Sequence, residues 1–293
     1  MIEIKRLVDC TIQEGVDAWN FGFEGYYFDM TTTPEKFINR FFLDGLSPSL
    51  SIVAFQEHQP VGIVLNGIRE LKGKRIAWNG GTGVASPLRS TGIGKLLMEA
   101  TLSILEEENV DIATLEAVSN NKKAISLYEK MGFKIVDQLE YLKVTGALKT
   151  NGFTAFKDEY IIERAIPQQV ANLAFYKGMN PWQTQWQNAK DGEALILKDS
   201  SAATIGYAYY RRAFNEEGKH ITTVLYQCEA EQGHRYAEKI IRLLLNEVFA
   251  STSDEINFVV PNMPIEKSHI TYSILKEMGF KSTTSQVYMM KQM

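Results

Sequence analysis

The stretch VASPLRSTGIGKLLMEA, Val84 to Ala100, decides how this chain is read. An extended apolar run, Ile76 to Ala85, ends at Pro87. Arg89 follows, then Gly92 and Gly94. Beyond them Ile93, Leu96, Leu97, Ala100 and Ile104 recur every three or four positions, one apolar face of a helix. Strand, glycine loop and helix in that order have a physical use. The first N–H groups of a helix lack internal partners and lie at the positive end of its dipole. Glycines let the backbone curl and let a ligand come close. The product is a nest for anionic oxygens, typically a phosphate, with Arg89 as a cation beside it. The spacing R-x-x-G-x-G is neither the dinucleotide fingerprint nor a P-loop, because no Gly-Lys-Ser/Thr follows. Taken alone, a G-x-G such as Gly92 and Gly94 more often marks only a tight turn; here it follows Arg89 and a strand, with the remaining chain order in agreement.

Upstream, Ile2 to Arg6 alternates as a short strand. Thr11 to Met30 begins as a helix and turns aromatic, with Trp19, Phe21, Phe23, Tyr26, Tyr27 and Phe28. Thr33-Pro34 is a helix start with proline at the first helical position. Ser51 to Phe55 and Val61 to Ile68 read as strands joined by a polar turn. The third strand, Ile76 to Ala85, is loosened by Gly80, Gly81 and Gly83; either something approaches it closely or it carries a bulge. Downstream, Ile112 to Val118 is a strand, Lys122 to Lys130 a helix stopped by Gly132, and Phe133 to Val144 extended.

TGALKTNGF, Thr145 to Phe153, is small, polar and glycine-containing, a linker signal. Strands are then expected at Ala194–Lys198, Thr204–Arg211, Ile221–Cys228 and Ile256–Val260, with helices at Ala237–Phe249 and Ile270–Glu277. The first half closes on ISLYEKMGFK, Ile125 to Lys134, and the second on YSILKEMGFK, Tyr272 to Lys281, an internal repeat. In a chain of 293 residues this favours two copies of one fold over one large domain.

Composition narrows the function classes. The net charge of −4 and the absence of basic runs give no reason to expect a nucleic-acid surface. Cys10 and Cys228 are far apart and suit a reducing cytosol, so a cytoplasmic protein is expected. The start MIEIKRLVDC is no signal peptide, and no apolar run approaches the ~20 residues of a membrane span. His58, His220, His234 and His269 show no ligand spacing, so no metal is expected.

RSTGIG resembles the pyrophosphate-binding motif Q/R-x-x-G-x-G/A of the GNAT superfamily of N-acetyltransferases. NKKAISLYEKMGF, Asn121 to Phe133, resembles that superfamily's second signature, N-x-x-A-x-x-L-Y-E-x-x-G-F, in family order. The resemblance is specific over Ile76 to Phe133; over 155–293 it rests on element order and the MGF repeat. It implies an α/β fold of two tandem GNAT-like domains, each a mixed, mostly antiparallel sheet flanked by helices. Residues 1–146 would be the acetyl-CoA-binding catalytic domain and 153–293 a degenerate copy, with a linker at about 145–152.

The resemblance further implies acetyl-CoA as co-substrate. Its pyrophosphate would rest on Arg89, Ser90, Thr91, Gly92, Ile93, Gly94 and Lys95, and its pantetheine arm along Thr82, Gly83, Val84 and Ala85. Asn121 would cap the following helix and reach the cofactor. Tyr128, in the tyrosine position of the second signature, is the candidate proton donor to the sulfur; packing beside Leu127 is the plain alternative. Glu116, a carboxylate among apolar residues in TLEAVSN, is the candidate base or else a salt-bridged glutamate. Trp19, Tyr26 and Tyr27 either wall the amine site or belong to the core.

The resemblance implies a primary amine as acceptor, on a small molecule or a protein, and neither nucleic acid nor membrane is expected as a partner. The state is open between monomer and homodimer. In the second copy Leu275 falls opposite Tyr128 and Ser268 opposite Asn121. Gly233 stands alone, and Glu229 and Glu231 would repel a pyrophosphate. A non-catalytic acyl-CoA-binding sensor is the alternative function.

Overall fold

A computed structural model of the chain describes residues 1–146, 148, 160–250 and 255–293. These divide into two compact units. Unit 1 holds Met1–Val136 together with Val287–Met293, and unit 2 holds Asp137–Gln286. The sequence-based division, 1–146 and 153–293, thus differs from the packing at both ends. Of the expected linker at about 145–152, residues 147 and 149–152 lie outside the described residues.

Unit 1 opens with strand β1 (Ile2–Arg6) and helices α1 (Ile12–Gly22) and α2 (Pro34–Asp44). Strands β2 (Ile52–Gln56), β3 (Gln59–Leu71) and β4 (Lys74–Val84) follow, then α3 (Ile93–Glu107), β5 (Ile112–Val118) and α4 (Lys122–Lys130). Each helix start is written locally. Thr11 accepts from the Glu14 amide while Glu14 accepts from the Thr11 amide, a reciprocal cap for α1. Thr33 caps α2 ahead of Pro34, and left-handed Gly45 ends it.

The strand order is β1-β2-β3-β4-β5, with the C-terminal segment next to β5. Strands β1 to β4 pair antiparallel; β4 and β5 pair parallel over Ile76–Asn79 and Ile112–Leu115. Between Asn79 and Gly81 the register against β3 slips by one, so Gly80 is a bulge residue.

Strand alternation sorts the two faces of β5. Ala113, Leu115 and Ala117 join Met98, Leu105, Ile125, Tyr128 and Phe133 in a core beneath α3 and α4. Thr114 and Glu116 therefore point to the other face, where Trp78 of β4 lies in register with Thr114. Val287 and Met289 belong to the α3/α4 core. These two come from β12 (Lys281–Gln292), whose pattern the sequence reading did not assign.

Unit 2 contains β6 (Lys134–Thr145) from Asp137 onward, β7 (Ile161–Ala165), a four-residue helix α5 (Pro167–Val170), β8 (Glu193–Lys198), β9 (Thr204–Phe214) and β10 (His220–Ala230). Helix α6 (Ala237–Val248), β11 (Asn257–Pro264) and α7 (His269–Glu277) complete it with the first part of β12. Its strands run β6-β11-β10-β9-β8-β7, with β10 and β11 parallel and the other neighbours antiparallel. Ile240, Ile241, Leu244 and Leu245 of α6 seat its core against Leu225, Phe258 and Phe280. The repeat seen in the sequence is thus a repeat of architecture: in each unit a long helix joins the two strands of a parallel pair and a short helix follows the second.

Candidate active site

In unit 1 the parallel pairing of β4 and β5 stops at Asn79 and Leu115, and the chain beyond builds a cleft of about 1040 Å³. That is at the upper end of ordinary ligand pockets, ~300–1,000 Å³, and suits a long ligand. Its walls come from the end of α1 and the turn after it, the end of β4, the loop before α3, and α4. Among the described residues Arg89, Lys95, Lys122, Lys123 and Lys130 line it, and no carboxylate does. Two of these cations, Lys122 and Lys123, occupy the first turn of α4, where the helix dipole disfavours positive charge. The sequence reading passed over that anomaly, which is the signal for an anionic ligand.

The loop before α3 has the strained backbone of a nest. Ser90 has φ 67° and Gly92 φ 101°, both left-handed, and the Gly92 N-cap supplies no side chain to the first amides of α3. Ser90, Gly92, Gly94 and Lys95 of this turn line the cleft. Thr91 instead turns its hydroxyl to the Leu88 carbonyl, 2.7 Å away, and Ile93 packs into the core.

Arg89 lines the cleft yet works as a brace. Its Nε donates to the Val84 carbonyl at 2.9 Å, and Nη2 donates to the Gly22 and Glu24 carbonyls at 3.1 and 2.6 Å. It thereby ties the loop to the last turn of α1. That helix end sits directly on β4: a Cβ on Gly22 would meet the Gly83 backbone at 3.0 Å. Gly83 is thus required by helix–strand contact. Thr82 and Val84 line the cleft, while the Ala85 amide is spent on the Val61 carbonyl.

On the opposite wall Asn121 caps α4, accepting from the Ala124 amide at 3.2 Å, and also hydrogen-bonds Tyr26. Tyr128 lines the cleft but is only 6% exposed, and its hydroxyl hydrogen-bonds that of Thr82. Burial pushes the Tyr128 phenol above its ordinary value of 10, and that of Tyr26 to about 12, with Tyr128 a further cause for Tyr26. Both hydroxyls therefore keep their protons at neutral pH. Tyr26 and Tyr27 line the cleft, linked edge to face at 5.2 Å. Trp19 does not. It is 2% exposed, donates Nε1–H to the Met30 carbonyl at 2.8 Å, and lies under the Arg40 guanidinium.

Glu116 is the first residue of β5 beyond the paired stretch, on the face of the sheet opposite Tyr128. It is half-buried and accepts a hydrogen bond from Trp78 Nε1 at 2.7 Å. The structure therefore brings Tyr26, Asn121, Thr82 and Tyr128 together in the cleft. It sets Glu116 on the other side of the gap between β4 and β5.

The corresponding gap in unit 2 is occupied by its own chain. Strands β10 and β11 pair only over Thr222–Val224 and Asn257–Val259. Beyond that, Lys177 reaches Glu229 at 2.7 Å and Ser268 at 3.3 Å, and Ser268 donates to Glu229 at 2.5 Å. Thr184 accepts from Tyr209 and Gln227, and Gln183 accepts from Asn262. Burial pushes the Glu229 carboxyl up, opposed by the Lys177 ammonium. Glu229, expected only to repel a pyrophosphate, is thus a buried partner of Lys177.

Residues 16–133 match the sequence model of the Acetyltransferase (GNAT) family. The chain carries a GNAT-family domain. Over 109 residues it is 32% identical to "Probable N-acetyltransferase san" of Drosophila melanogaster, a match covering 36% of this chain and 59% of that protein. It is 28% identical over 127 residues to N-alpha-acetyltransferase 30 of Dictyostelium discoideum, covering 43% of this chain and 68% of that one. Among solved structures, a tandem GNAT protein of the clavulanic acid biosynthesis pathway superposes with TM-score 0.60 at 12% identity, covering 100% of this chain and 98% of that one. A GCN5-related N-acetyltransferase of Sphaerobacter thermophilus gives 0.63 at 12%, covering 100% and 95%. Identities this low speak to fold alone, and the fold is that of tandem GNAT domains. Among the described residues no helix is long and apolar enough to cross a membrane.

Proposed function

We propose that the GNAT domain transfers an acetyl group from acetyl-CoA to a primary amine, on a small molecule or a protein, by direct attack. The observation that carries this is the cleft itself: five cations and no carboxylate around a left-handed loop at a helix start, running inward to a buried tyrosine. The pyrophosphate would take the amides from Ser90 to Lys95, with Lys122, Lys123 and Lys130 supplying charge along α4. Arg89 would act by holding the loop in shape.

The amine must be neutral to attack, and Glu116, just beyond the end of the β4–β5 pairing, would take its proton. As the C–N bond forms and the C–S bond breaks, the Tyr128 hydroxyl donates to the departing sulfur, and solvent restores its proton. A free thiol titrates near about 8.5, so a phenol held above 10 serves the sulfur first as a hydrogen-bond donor. Acceptor selection falls to Tyr26 and Tyr27. Unit 2, its own gap filled, serves as a structural or acceptor-shaping domain.

Two expected results follow from the placement of single residues. At Gly94 a Cβ would meet only Leu127 at 3.4 Å and Val84 at 3.8 Å, ordinary contacts. Gly94→Leu replaces a helical glycine, each of which costs about 0.8–1.0 kcal/mol relative to alanine, so the fold should melt no earlier. The side chain nonetheless grows into the nest, and calorimetry should show acetyl-CoA binding at least about ten-fold weaker, or ~1.4 kcal/mol. Unchanged affinity would remove the loop from the binding site.

Glu116→Gln keeps the Trp78 hydrogen bond but cannot accept a proton. Amine-dependent release of the thiol should fall near neutrality and recover at higher pH, where free amine is abundant. Superimposable pH profiles after scaling would show that Glu116 is not the base. Binding of acetyl-CoA with no release for any amine would establish the sensor reading instead.

A further inference from the structure

Glu116 has lost one neighbour by design of the sheet. Strand β4 no longer pairs with β5 beyond Asn79 and Leu115, so the strand on the other side of β5 has to hold the carboxylate in place. That strand is the last part of β12, the segment Val287–Met293 that belongs to unit 1. Its end is pinned where the Met293 amide donates to the Asp111 carbonyl at 3.0 Å, next to the start of β5. Val287 and Met289 enter the core beneath α3 and α4, so Tyr288 between them faces the other way, onto the side of Thr114, Glu116 and Trp78. Tyr288 is 1% exposed there.

We infer that Tyr288 is a positioning residue for Glu116, so that proton removal in the first unit depends on a side chain of its last strand, far from Glu116 in sequence. The inference rests on the reading of Glu116 as the base. The Thr114 hydroxyl donates to the Ala77 carbonyl at 2.8 Å, which leaves its oxygen to accept from the Tyr288 hydroxyl. Burial, with Glu116 as the next cause, holds the Tyr288 phenol well above 10, so it stays a neutral neighbour to the carboxylate. Trp78 Nε1–H fixes one carboxylate oxygen from the β4 side, and Tyr288 flanks Glu116 from the strand on the other side of β5. Two aromatic side chains from two different strands thus hold Glu116 toward the gap.

The test is a double-mutant cycle on the full chain, reading kcat and KM separately with melting curves alongside. Tyr288→Phe keeps the ring and the packing while releasing the bond to Thr114. It should lower kcat about ten-fold, since a misplacement of about an ångström costs up to ~10²-fold, and leave the KM for acetyl-CoA within about two-fold. In a Glu116→Gln background the same change should alter kcat less than about two-fold, because no base remains to be placed. Thr114→Val reaches the same contact without touching the tyrosine and should behave alike with a smaller fall, about three-fold.

Equal fold-losses in both backgrounds, or a raised KM at unchanged kcat, would overturn the inference while leaving Glu116 as the base. A Glu116→Gln enzyme with undiminished kcat would sink the base and the inference together.

Discussion

Tyr128→Phe should lower kcat by about 10²-fold or more, the usual size of an acid–base contribution, while acetyl-CoA affinity stays close to that of the parent. The ring survives the change, so its edge-to-face contact with Phe133 and its place in the α3/α4 core are kept. What disappears is one hydroxyl at the inner end of the cleft, in a position that matters only when negative charge develops on sulfur. The pH dependence adds a second mark. Burial raises the Tyr128 phenol, so its neutral, donating form persists through pH 10, and the alkaline fall in rate should begin above the ordinary tyrosine value. Steady-state rates across pH, with a pre-steady-state check that chemistry limits, measure both. A variant with undiminished kcat under those conditions would take Tyr128 out of the mechanism.

Deleting Val287–Met293 should unfold unit 1 or lower its melting temperature severely. Val287, Tyr288 and Met289 are 4%, 1% and 0% exposed. Full burial of each is worth about 1.5–3 kcal/mol, together about 5–9, against a total stability of about 5–15 for an ordinary domain. The deletion also uncovers β5 as a raw sheet edge, an invitation to aggregation. Thermal melts and sedimentation of the truncated chain would show this. A truncated protein that melts within a few degrees of the full chain would mean that unit 1 stands without its C-terminal strand.

The contrast between what sequence and structure reveal follows from range. Turn chemistry is local, so the loop from Arg89 to Gly94, the Asn121 cap and the stop at Gly132 were all readable. So was the apolar face of α3. Face alternation in TLEAVSN already separates Glu116 from Leu115 and Ala117, but which face carries Tyr128 depends on how α4 docks.

Arg89 could be read as a phosphate ligand because its acceptors, the Gly22 and Glu24 carbonyls, lie more than sixty residues away. Trp19 and Tyr26 belong to one aromatic run, yet packing divides them: one under Arg40, one in the cleft. KSTTSQVYMMKQ gave no strand signal because its first half is polar and exposed and its second is buried on both faces. No single period describes such a segment. The fill of unit 2's gap by Lys177, Gln183 and Thr184 came from a stretch with no periodicity at all.

The most direct test of the account is to incubate the full chain with acetyl-CoA and a panel of amines, among them peptide N-termini, lysine, polyamines and aminoglycosides. Free thiol and acetylated amine would be quantified in the same reaction. The account predicts that at least one amine yields thiol and acetylated product in equal amounts, with both lost in Tyr128→Phe and Gly94→Leu. Saturable binding of acetyl-CoA with no product from any amine, or turnover that survives both substitutions, would contradict it.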